Sequence, residues 1–323
     1  MSQENKKNPQ VLLIDTLHPS FISILEAAGC TCIPGYNWRI EEILTKINQY
    51  DGLAIRSRFK LDQHFLERAS TIKCIGRAGA GMENIDVDFA QSVGITCVHA
   101  PEGNRDAVGE HAIGMLLSLM NHLIRADQEV RSGIWRREEN RGLELQGKTV
   151  GIIGFGNMGS AFAKKLQGFE CTILAYDKYI RLDHQKYPFV KQCEQKEIFD
   201  QADIVSLHLP LTEETRYLVN EDYLESFKKP IFIINTARGK IVDTAALVNA
   251  LKANKIRGAA LDVLEYESIS FEQLNATQLP EPFQYLIKSD KVILSPHIGG
   301  WTHESNEKIA QVLAEKMLQV FNH

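Results

Sequence analysis

The sequence contains a series of short, continuous apolar runs, and each run is followed by a polar or helix-like stretch. Runs of this kind are typical of parallel strands that are buried on both faces. Strands that alternate with helices indicate right-handed crossovers in a layered α/β fold. We expect five strands and then six, at VLLID (11–15), CTCIP (30–34), GLAIR (52–56), IKCIG (72–76), ITCVH (95–99), TVGIIG (149–154), TILAYD (172–177), DIVSLHLP (203–210), IFIIN (231–235), GAALDVL (258–264) and VILSPH (292–297).

Two sets of strands favour two doubly wound parallel-sheet domains over one closed eight-stranded barrel. The length of 323 residues agrees with this, since domains average ~150 residues. Apolar residues recur at helical spacing over residues 108–125, which predicts a long helix between the two sets. Residues 303–321 predict an amphipathic helix, and the charged segment 135–146 predicts a surface loop.

Composition excludes several classes of protein. The net charge is −5, which disfavours nucleic acid as the main partner because phosphate binding normally comes with a basic excess. The first ten residues are too polar for a secretory signal, and the apolar stretch 112–120 is too short for a membrane helix, so we expect a cytoplasmic protein without membrane contact. The six cysteines are scattered and lack zinc-ligand spacing, so we expect reduced thiols and no metal site.

A glycine-rich turn follows the first strand of the second set. Gly154, Gly156 and Gly159 form a GxGxxG pattern, with Asn157 and Met158 inside it, between an apolar strand and a helix-like segment. In that context the first glycine permits a tight turn, the second lets a pyrophosphate approach the backbone, and the third packs helix against strand. The helix start would offer free N–H groups to the phosphates. The alternative is a glycine-rich turn without a ligand.

Asp177 ends the next apolar strand, 18 residues after Gly159. A carboxylate there accepts hydrogen bonds from the adenosine ribose and repels a 2′-phosphate, which predicts NAD rather than NADP. Lys178 is a possible complication, since its charge would partly neutralise the carboxylate. Without the glycines, a solvated acid at a strand end would be the simpler interpretation.

Polar groups that suit catalysis follow three later strands. Arg238, Asp262 with Glu267, and His297 stand at strand ends, where ligands of such sheets bind. A histidine carries a proton near neutral pH, a carboxylate orients it, and an arginine holds a substrate carboxylate. Taken singly, each residue also has an ordinary structural interpretation: a capping histidine, a surface arginine at a helix entry, or a solvated Glu265 or Glu267.

These features together resemble the D-isomer-specific 2-hydroxyacid dehydrogenase family over nearly the whole chain. The segments that carry the resemblance are GRAGAGMENID (76–86), VGEHAIGMLLSL (108–119), GKTVGIIGFGNMG (147–159), DIVSLHLPLTEET (203–215), INTARGKIVD (234–243), GAALDVLEYE (258–267) and LSPHIGG (294–300).

The resemblance implies a catalytic set of Arg238, Glu267 and His297, and NAD as cofactor. It implies a discontinuous substrate domain, at 1–103 plus 298–323, and a Rossmann NAD-binding domain at 104–297. It also implies a homodimer or homotetramer. The cofactor contacts expected on this basis are Gly154, Gly156, Asn157, Met158, Gly159, Asp177, His208, Pro210, Thr215, Thr236, Ala237, Asp262 and Gly299.

Within the family, the first domain most resembles that of D-3-phosphoglycerate dehydrogenases. Arg56, Ser57 and Arg58 match a basic segment of that group, and the two arginines would share a side and grip a phosphate. Asn104 matches a residue of its substrate loop. A turn containing Ala78, Gly79 and Ala80 would hold the substrate carboxylate on backbone amides.

Two departures from the pattern bear on the substrate. Phe59 stands where the group has Thr, and Ser268 replaces the Pro after the catalytic Glu, in a loop at 266–286 that is longer than usual. The sequence also ends before the C-terminal regulatory domain of longer relatives, so we expect no serine feedback through such a domain.

We therefore expect an enzyme that transfers a hydride between NAD and a small D-2-hydroxy acid, foremost D-3-phosphoglycerate and its oxidised form, 3-phosphohydroxypyruvate. One alternative is a glyoxylate, hydroxypyruvate or other 2-keto-acid reductase, in which Arg56 and Arg58 would be structural. Another alternative, from a different class, is an NADH-sensing binding protein or corepressor that keeps the same residues but turns over poorly.

Overall fold

A computed structural model describes residues 8–267 and 280–322 of the chain. These residues form two compact units, each with its own sheet. The first comprises 8–104 and 301–322, and the second comprises 105–267 and 280–300. The predicted domain limits lie after residues 103 and 297. The departures at 268–279 within the long loop, including Ser268, lie outside the described residues.

The first unit is built on a parallel five-stranded sheet with the order β2-β1-β3-β4-β5. Its strands are β1 (Gln10–Leu13), β2 (Thr31–Pro34), β3 (Gly52–Ile55), β4 (Cys74–Arg77) and β5 (Thr96–His99). Its helices are α1 (Pro19–Ala27), α2 (Ile40–Lys46), α3 (Gln63–Leu66), α4 (Val87–Ser92) and α12 (His303–Phe321).

The helix α12 belongs to this first unit although it comes last in the chain. It packs against α1, β4 and β5 through buried residues that include Leu313 and Met317. Gly76 in β4 permits this approach, because a Cβ at that position would lie 2.5 Å from the sulfur of Met317. The predicted amphipathic helix at 303–321 is thus confirmed, with Thr302 as its N-cap.

The second unit is built on a parallel seven-stranded sheet with the order β12-β11-β10-β9-β6-β7-β8. Its strands are β6 (Thr149–Ile153), β7 (Thr172–Tyr176), β8 (Val190–Gln192), β9 (Ile204–Leu207), β10 (Ile231–Asn235), β11 (Ile256–Leu261) and β12 (Val292–Leu294). The helices that begin in this unit are α6 (Leu123–Arg131), α7 (Asn157–Leu166), α8 (Gln195–Gln201), α9 (Glu221–Glu225), α10 (Thr244–Lys252) and α11 (Glu281–Leu286), while α5 (Pro101–Met120) begins in the first unit and continues here.

The predicted fold class, two doubly wound parallel-sheet α/β domains, is confirmed. Strand β6 has its neighbours β7 and β9 on opposite sides, so the chain winds outward in both directions from it. The strand β8 was not predicted. It is three residues long, and of these only Val190 is buried, so its sequence has no continuous apolar run.

The single helix expected at 108–125 is wrong: the structure has two helices in this region. Helix α5 ends at Met120, and His122 takes the left-handed conformation with φ of 51° before α6 begins. The backbone carbonyl of Met120 accepts a hydrogen bond of 3.0 Å from the amide of Leu143 instead of continuing the helix. The helix thus ends where the carbonyl of its last residue bonds to the 135–146 segment, a contact that helical periodicity alone does not reveal.

All six cysteines lie within the described residues and are free thiols. Burial raises the pKa of Cys74 to about 12 and that of Cys97 to about 11, so both stay protonated at neutral pH. Among the helices of the described residues, none has the length and apolar character needed to cross a membrane.

Candidate active site

The glycine-rich turn connects β6 to α7. Gly154 has φ of 90°, and a Cβ there would lie 2.4 Å from the carbonyl oxygen of His208. A Cβ on Gly159 would lie 2.1 Å from the carbonyl oxygen of Gly154. These two glycines are therefore required by internal packing. A Cβ on Gly156 would meet nothing closer than Ile180 at 3.9 Å, so this position borders open space that a ligand can occupy.

The N-terminus of α7 fits an anionic group. Gly156 is its N-cap, and no side chain of the described residues caps the helix there. Gly156, Asn157 and Met158 are partly exposed. A helix start with uncapped N–H groups beside a glycine is the arrangement that binds a pyrophosphate in dinucleotide sites.

Asp177 follows β7 and is fixed against this turn. Its Oδ2 accepts a hydrogen bond of 2.7 Å from the amide of Phe155, and its Oδ1 accepts from the amides of Tyr179 and Ile180 at 2.9 and 2.8 Å. These bonds hold the carboxylate beside the glycine-rich turn. In dinucleotide-binding folds, a carboxylate after the second strand contacts the adenosine ribose.

Lys178 does not neutralise Asp177. Its ammonium group forms an ion pair with Glu214, and the hydroxyl of Tyr179 donates a hydrogen bond of 2.5 Å to the same carboxylate. The complication raised by the sequence therefore does not arise, and the negative charge of Asp177 is left to act on a ligand.

His208 follows β9, and its Nε2 lies 2.8 Å from the hydroxyl of Ser206. Burial lowers the pKa of His208 to about 3, so the ring is neutral at physiological pH. Its Nδ1 is buried without a hydrogen-bond partner in the described residues, so this atom can contact a ligand. The hydroxyl of Thr215 donates a hydrogen bond of 2.6 Å to the carbonyl of Pro210 and closes the following loop.

The segment after β10 carries Thr236, Ala237 and Arg238. Asn235 organises it: its side-chain oxygen accepts from the amide of Ala237, and its side-chain nitrogen donates to the carbonyl of Arg238, both at 3.0 Å. The hydroxyl of Thr236 is buried and has no hydrogen-bond partner among residues 8–267 and 280–322. Sequence reasoning missed Asn235, although a buried Asn in an apolar strand is a signal that could have identified it.

Asp262 anchors the loop that carries His297. Its carboxylate accepts hydrogen bonds from the hydroxyl of Ser295 at 2.6 Å and from the amides of Ile298 and Gly299 at 2.9 and 2.8 Å. Burial by itself would raise the pKa of Asp262, but the hydrogen bonds from His111, Ser295, Gly299 and Ile298 together hold it below its ordinary value. Asp262 is therefore a fixed negative charge.

His111 also belongs to this network, and sequence reasoning did not single it out. Its Nε2 lies 2.9 Å from the hydroxyl of Ser295 and 3.3 Å from the Asp262 carboxylate. His111 is on α5, far before its partners in the chain, so neither spacing nor strand-end position in the sequence connects them.

His297 and Glu267 are in direct contact. The Nδ1 of His297 lies 2.7 Å from the Oε2 of Glu267, and the amide of Leu264 donates to the other carboxylate oxygen. Both side chains are mostly shielded from solvent, at 23% and 13% exposure. His297 also has φ of 55°, an uncommon conformation for a residue other than glycine, and its amide bonds to the carbonyl of Asp262 at 2.8 Å.

Arg238 lies on the same edge of the sheet as this pair. Arg238 follows β10, Glu267 follows β11 and His297 follows β12, and the sheet places these three parallel strands side by side. Their carboxyl ends therefore meet at one edge. Arg238 is half-buried, and its guanidinium donates a hydrogen bond of 2.7 Å to the carbonyl of Ala237.

The turn at 77–81, in the first unit, is fixed at both ends. The amide of Ala78 donates to the carbonyl of Ile55, and the carbonyl of Gly79 accepts from the amide of Ala100. The carbonyl of Ala80 lies 2.6 Å from the Nδ1 of His99, which sequence reasoning had not assigned a role. Gly79 has φ of 148°, which favours glycine at this position.

The two arginines after β3 differ in their contacts. The guanidinium of Arg58 donates to the backbone carbonyls of Ile14, Gly35 and Trp38, at 3.1, 3.2 and 2.7 Å. Arg58 therefore links its own loop to the loops that follow β1 and β2. It does not share the environment of Arg56, contrary to the expectation that the two arginines grip one phosphate together. Arg56 instead lies over the ring of Trp301.

Two further substrate candidates lie in the first unit. Ser57 is half-buried between the two arginines. Asn104 is near the start of α5, and its side-chain oxygen is buried without a hydrogen-bond partner in the part of the chain that the structure describes. A buried amide oxygen without a partner is unusual, and a ligand would satisfy it.

Comparison with known proteins identifies the family. Residues 113–299 match the model of the D-isomer specific 2-hydroxyacid dehydrogenase, NAD binding domain. The chain belongs to this family, which confirms the resemblance, and its cofactor is NAD.

The chain is similar to relatives with two kinds of enzyme name. A D-3-phosphoglycerate dehydrogenase of Archaeoglobus fulgidus is 36% identical over 280 residues, which cover 87% of this chain and 51% of that protein. A glyoxylate reductase of Thermofilum pendens is 38% identical over 285 residues, which cover 87% of this chain and 81% of that protein. The chain spans about half the length of the phosphoglycerate dehydrogenases that it matches.

A solved structure has a similar fold. A D-lactate dehydrogenase of Aquifex aeolicus, in complex with NAD and lactic acid, has a TM-score of 0.81 and 26% sequence identity, with 97% of this chain and 95% of that chain covered.

Proposed function

We propose that this protein is an NAD-dependent dehydrogenase of D-2-hydroxy acids. The observation that carries the proposal is the contact of 2.7 Å between His297 and Glu267, at the strand edge that also presents Arg238. This set supplies a proton carrier, a carboxylate that orients it, and a cation for a substrate carboxylate.

In the proposed mechanism the hydroxy acid loses a proton from its C2 hydroxyl and a hydride from C2. Bound NAD supplies the hydride acceptor. Because Nδ1 of His297 contacts Glu267, we assign Nε2 as the atom that takes the hydroxyl proton. Arg238 binds the carboxylate and stabilises the C2 oxygen, and in the reverse direction His297 returns the proton to that oxygen.

The cofactor is proposed to bind along the glycine-rich turn. Gly156 and the first amides of α7 hold the pyrophosphate, and Asp177 accepts hydrogen bonds from the adenosine ribose. His208, Thr236 and Asp262 lie at the ends of β9, β10 and β11, where the rest of the dinucleotide would bind. The buried and unpartnered atoms of His208 and Thr236 support this placement.

For the substrate, we propose D-3-phosphoglycerate and 3-phosphohydroxypyruvate, with Arg56 binding the phosphate. The turn at 78–80 and Asn104 are proposed to hold the carboxylate end. The names of several relatives and the available guanidinium of Arg56 support this substrate. A glyoxylate reductase is the second candidate, because such a relative matches over 81% of its own length and Arg58 has a structural role here.

We also propose a division of the chain into two domains, a cellular location and an oligomeric state. Residues 1–103 with 298–323 form the substrate domain and 104–297 the NAD-binding domain of a cytoplasmic homo-oligomer. Three apolar side chains of α6, Leu123, Ile124 and Val130, are about half exposed and support a contact with a second copy of the chain.

The test is NADH oxidation, followed at 340 nm, with 3-phosphohydroxypyruvate beside hydroxypyruvate, glyoxylate and pyruvate. We expect the highest kcat/KM for the phosphorylated acid. Equal use of the four acids would leave a general 2-keto-acid reductase. NADH binding without turnover of any acid would contradict the proposed activity and favour an NADH-sensing protein.

A further inference from the structure

An exposed tryptophan lies against the arginine proposed to bind phosphate. The side chain of Trp301, a residue that is 67% exposed, lies immediately after the 294–300 segment. The guanidinium carbon of Arg56 is 4.4 Å from the centroid of its ring, and both residues belong to the first unit. An indole left this open to water is unusual for packing alone, since tryptophan is on average a highly buried residue.

The backbone of Arg56 is fixed while its guanidinium remains available. The amide of Arg56 donates to the carboxylate of Asp15 at 2.6 Å, and its carbonyl accepts from the side-chain nitrogen of Asn84 at 3.3 Å. Within residues 8–267 and 280–322, the guanidinium itself has no hydrogen-bond or carboxylate partner. The neighbouring guanidinium of Arg58 binds three carbonyls, so only Arg56 of the two keeps all its N–H donors for a ligand.

We propose that Trp301 is a positioning residue that selects substrates with a second anionic group, by holding the guanidinium of Arg56 for that group. This inference rests on the proposed function. A cation over an aromatic face is attracted to the ring but keeps its in-plane N–H donors, which are the donors that bind a phosphate. Restricting the long arginine side chain in advance reduces the entropy lost when the anion binds.

This role makes a specific kinetic prediction. Loss of the ring weakens binding of the acid that carries a phosphate and leaves binding of the unphosphorylated acid unchanged, because that acid has no second anionic group for Arg56. The hydride and proton transfers occur at C2 and depend on His297 and Arg238, so kcat stays the same. Phenylalanine retains an aromatic face and is expected to restore most of the binding.

The experiment compares wild type, Trp301→Leu, Trp301→Phe, Arg56→Gln and the double variant Arg56→Gln/Trp301→Leu. For each we measure kcat and KM with 3-phosphohydroxypyruvate and with hydroxypyruvate. We expect Trp301→Leu to raise KM for the phosphorylated acid by roughly fivefold, the effect of an exposed cation–π contact. The double variant should be no worse than Arg56→Gln, since Trp301 acts through Arg56.

A matched control is Lys46→Gln. Lys46 lies over the ring of Trp38 at 4.1 Å, so it forms the same kind of contact in the same unit. We expect both KM values of this variant to equal those of the wild type. Thermal unfolding of every variant separates a binding effect from a loss of fold.

The outcomes separate this inference from the proposed function. A wild type that prefers the phosphorylated acid, with an unchanged KM in Trp301→Leu, would overturn the role of Trp301 and leave the substrate proposal intact. Equal losses with both acids, or additive losses in the double variant, would also overturn it. A wild type without that preference would overturn both. Calorimetry with D-3-phosphoglycerate and D-glycerate makes the same comparison by binding alone, without turnover. A protein that binds the phosphorylated acid more tightly but does not turn it over would contradict only the proposed reaction.

Discussion

The Oε2 of Glu267 lies 2.7 Å from the Nδ1 of His297, and each residue follows a different strand of the same sheet. The amide of Leu264 donates to the other oxygen of this carboxylate, which restrains its rotation away from the ring. This contact fixes the orientation of the imidazole and places the hydrogen of a neutral ring on Nδ1. It leaves Nε2 as the basic atom in the proposed reaction.

Replacing His297 with Gln is expected to reduce kcat by ~10²–10⁴, the usual contribution of a general acid or base. NADH binding should persist, because the proposed cofactor contacts at the glycine-rich turn are untouched. Turnover at 340 nm and NADH fluorescence measure the two properties. The control is His303→Gln, since His303 is exposed at the start of α12. A His297→Gln enzyme with near-normal kcat would contradict the assignment.

Replacing Glu267 with Gln should reduce kcat by a smaller factor, roughly tenfold to a hundredfold. The side-chain amide of Gln can still contact Nδ1, but it has no negative charge to stabilise the protonated imidazole. Glu265→Gln is the matched control, because that carboxylate bonds to the hydroxyl of Tyr217 and to the amide of Thr244 instead. If the two variants lost equal activity, Glu267 would have no specific role.

Protein stability should depend on pH through His208. Its pKa is about 3 in the folded state and near 6.5 when unfolded, so between these values only the unfolded chain binds the proton. The free energy of unfolding therefore falls as pH decreases from 6.5 towards 3, by about 2 kcal/mol at pH 5 from this residue. Urea unfolding at pH 7 and pH 5 should show a smaller decrease in the free energy of unfolding for His208→Gln than for the wild type. An equal decrease would show that His208 does not cause the pH dependence.

Much of the fold could be predicted because its strands are buried on both faces. The run IFIIN is apolar at four of five positions, and the observed strand β10 covers the same residues. The glycine turn is also local, since Gly154 and Gly159 are close in both sequence and space. Asn235 is also local, because it bonds to Ala237 and Arg238, and its burial in an apolar strand is a usable signal. By contrast, His111 and the break at His122 depend on contacts with distant segments. Such contacts leave no periodic or local pattern, and so the sequence does not reveal them.

Arg56 and Arg58 should respond differently to the same substitution. Arg58→Gln removes charged hydrogen bonds to three backbone carbonyls and should lower the free energy of unfolding by about 1–2 kcal/mol, reduced from the full value because the side chain is exposed. Arg56→Gln leaves that network intact and should raise only KM for the phosphorylated acid. Urea unfolding and steady-state kinetics of both variants test this, and equal destabilisation would contradict the division of roles.

Asp177 should determine the preference for NADH over NADPH. Asp177→Asn removes the charge but keeps one oxygen, which can still accept from the backbone amide of Phe155 or from those of Tyr179 and Ile180. We expect the ratio of kcat/KM values for NADH and NADPH to fall by about tenfold, because the 2′-phosphate is no longer repelled. A wild type that uses NADH and NADPH equally would contradict this role of Asp177. The control is Asp183→Asn, because the carboxylate of Asp183 accepts from the nearby amides of Gln185 and Lys186, beyond the glycine-rich turn.

Helix α6 should carry the contact between copies of the chain. Ile124 and Val130 are 48% and 54% exposed, and an apolar surface of this kind loses contact with water when a second copy covers it. The double variant Ile124→Lys/Val130→Lys places two charges on that surface, and we expect it to shift the mass measured by light scattering to that of a smaller assembly or a monomer. Val93→Lys is the matched control, since Val93 is 49% exposed but belongs to the first unit and lies outside α6. An unchanged mass for the double variant, or an equal shift for Val93→Lys, would place the contact elsewhere.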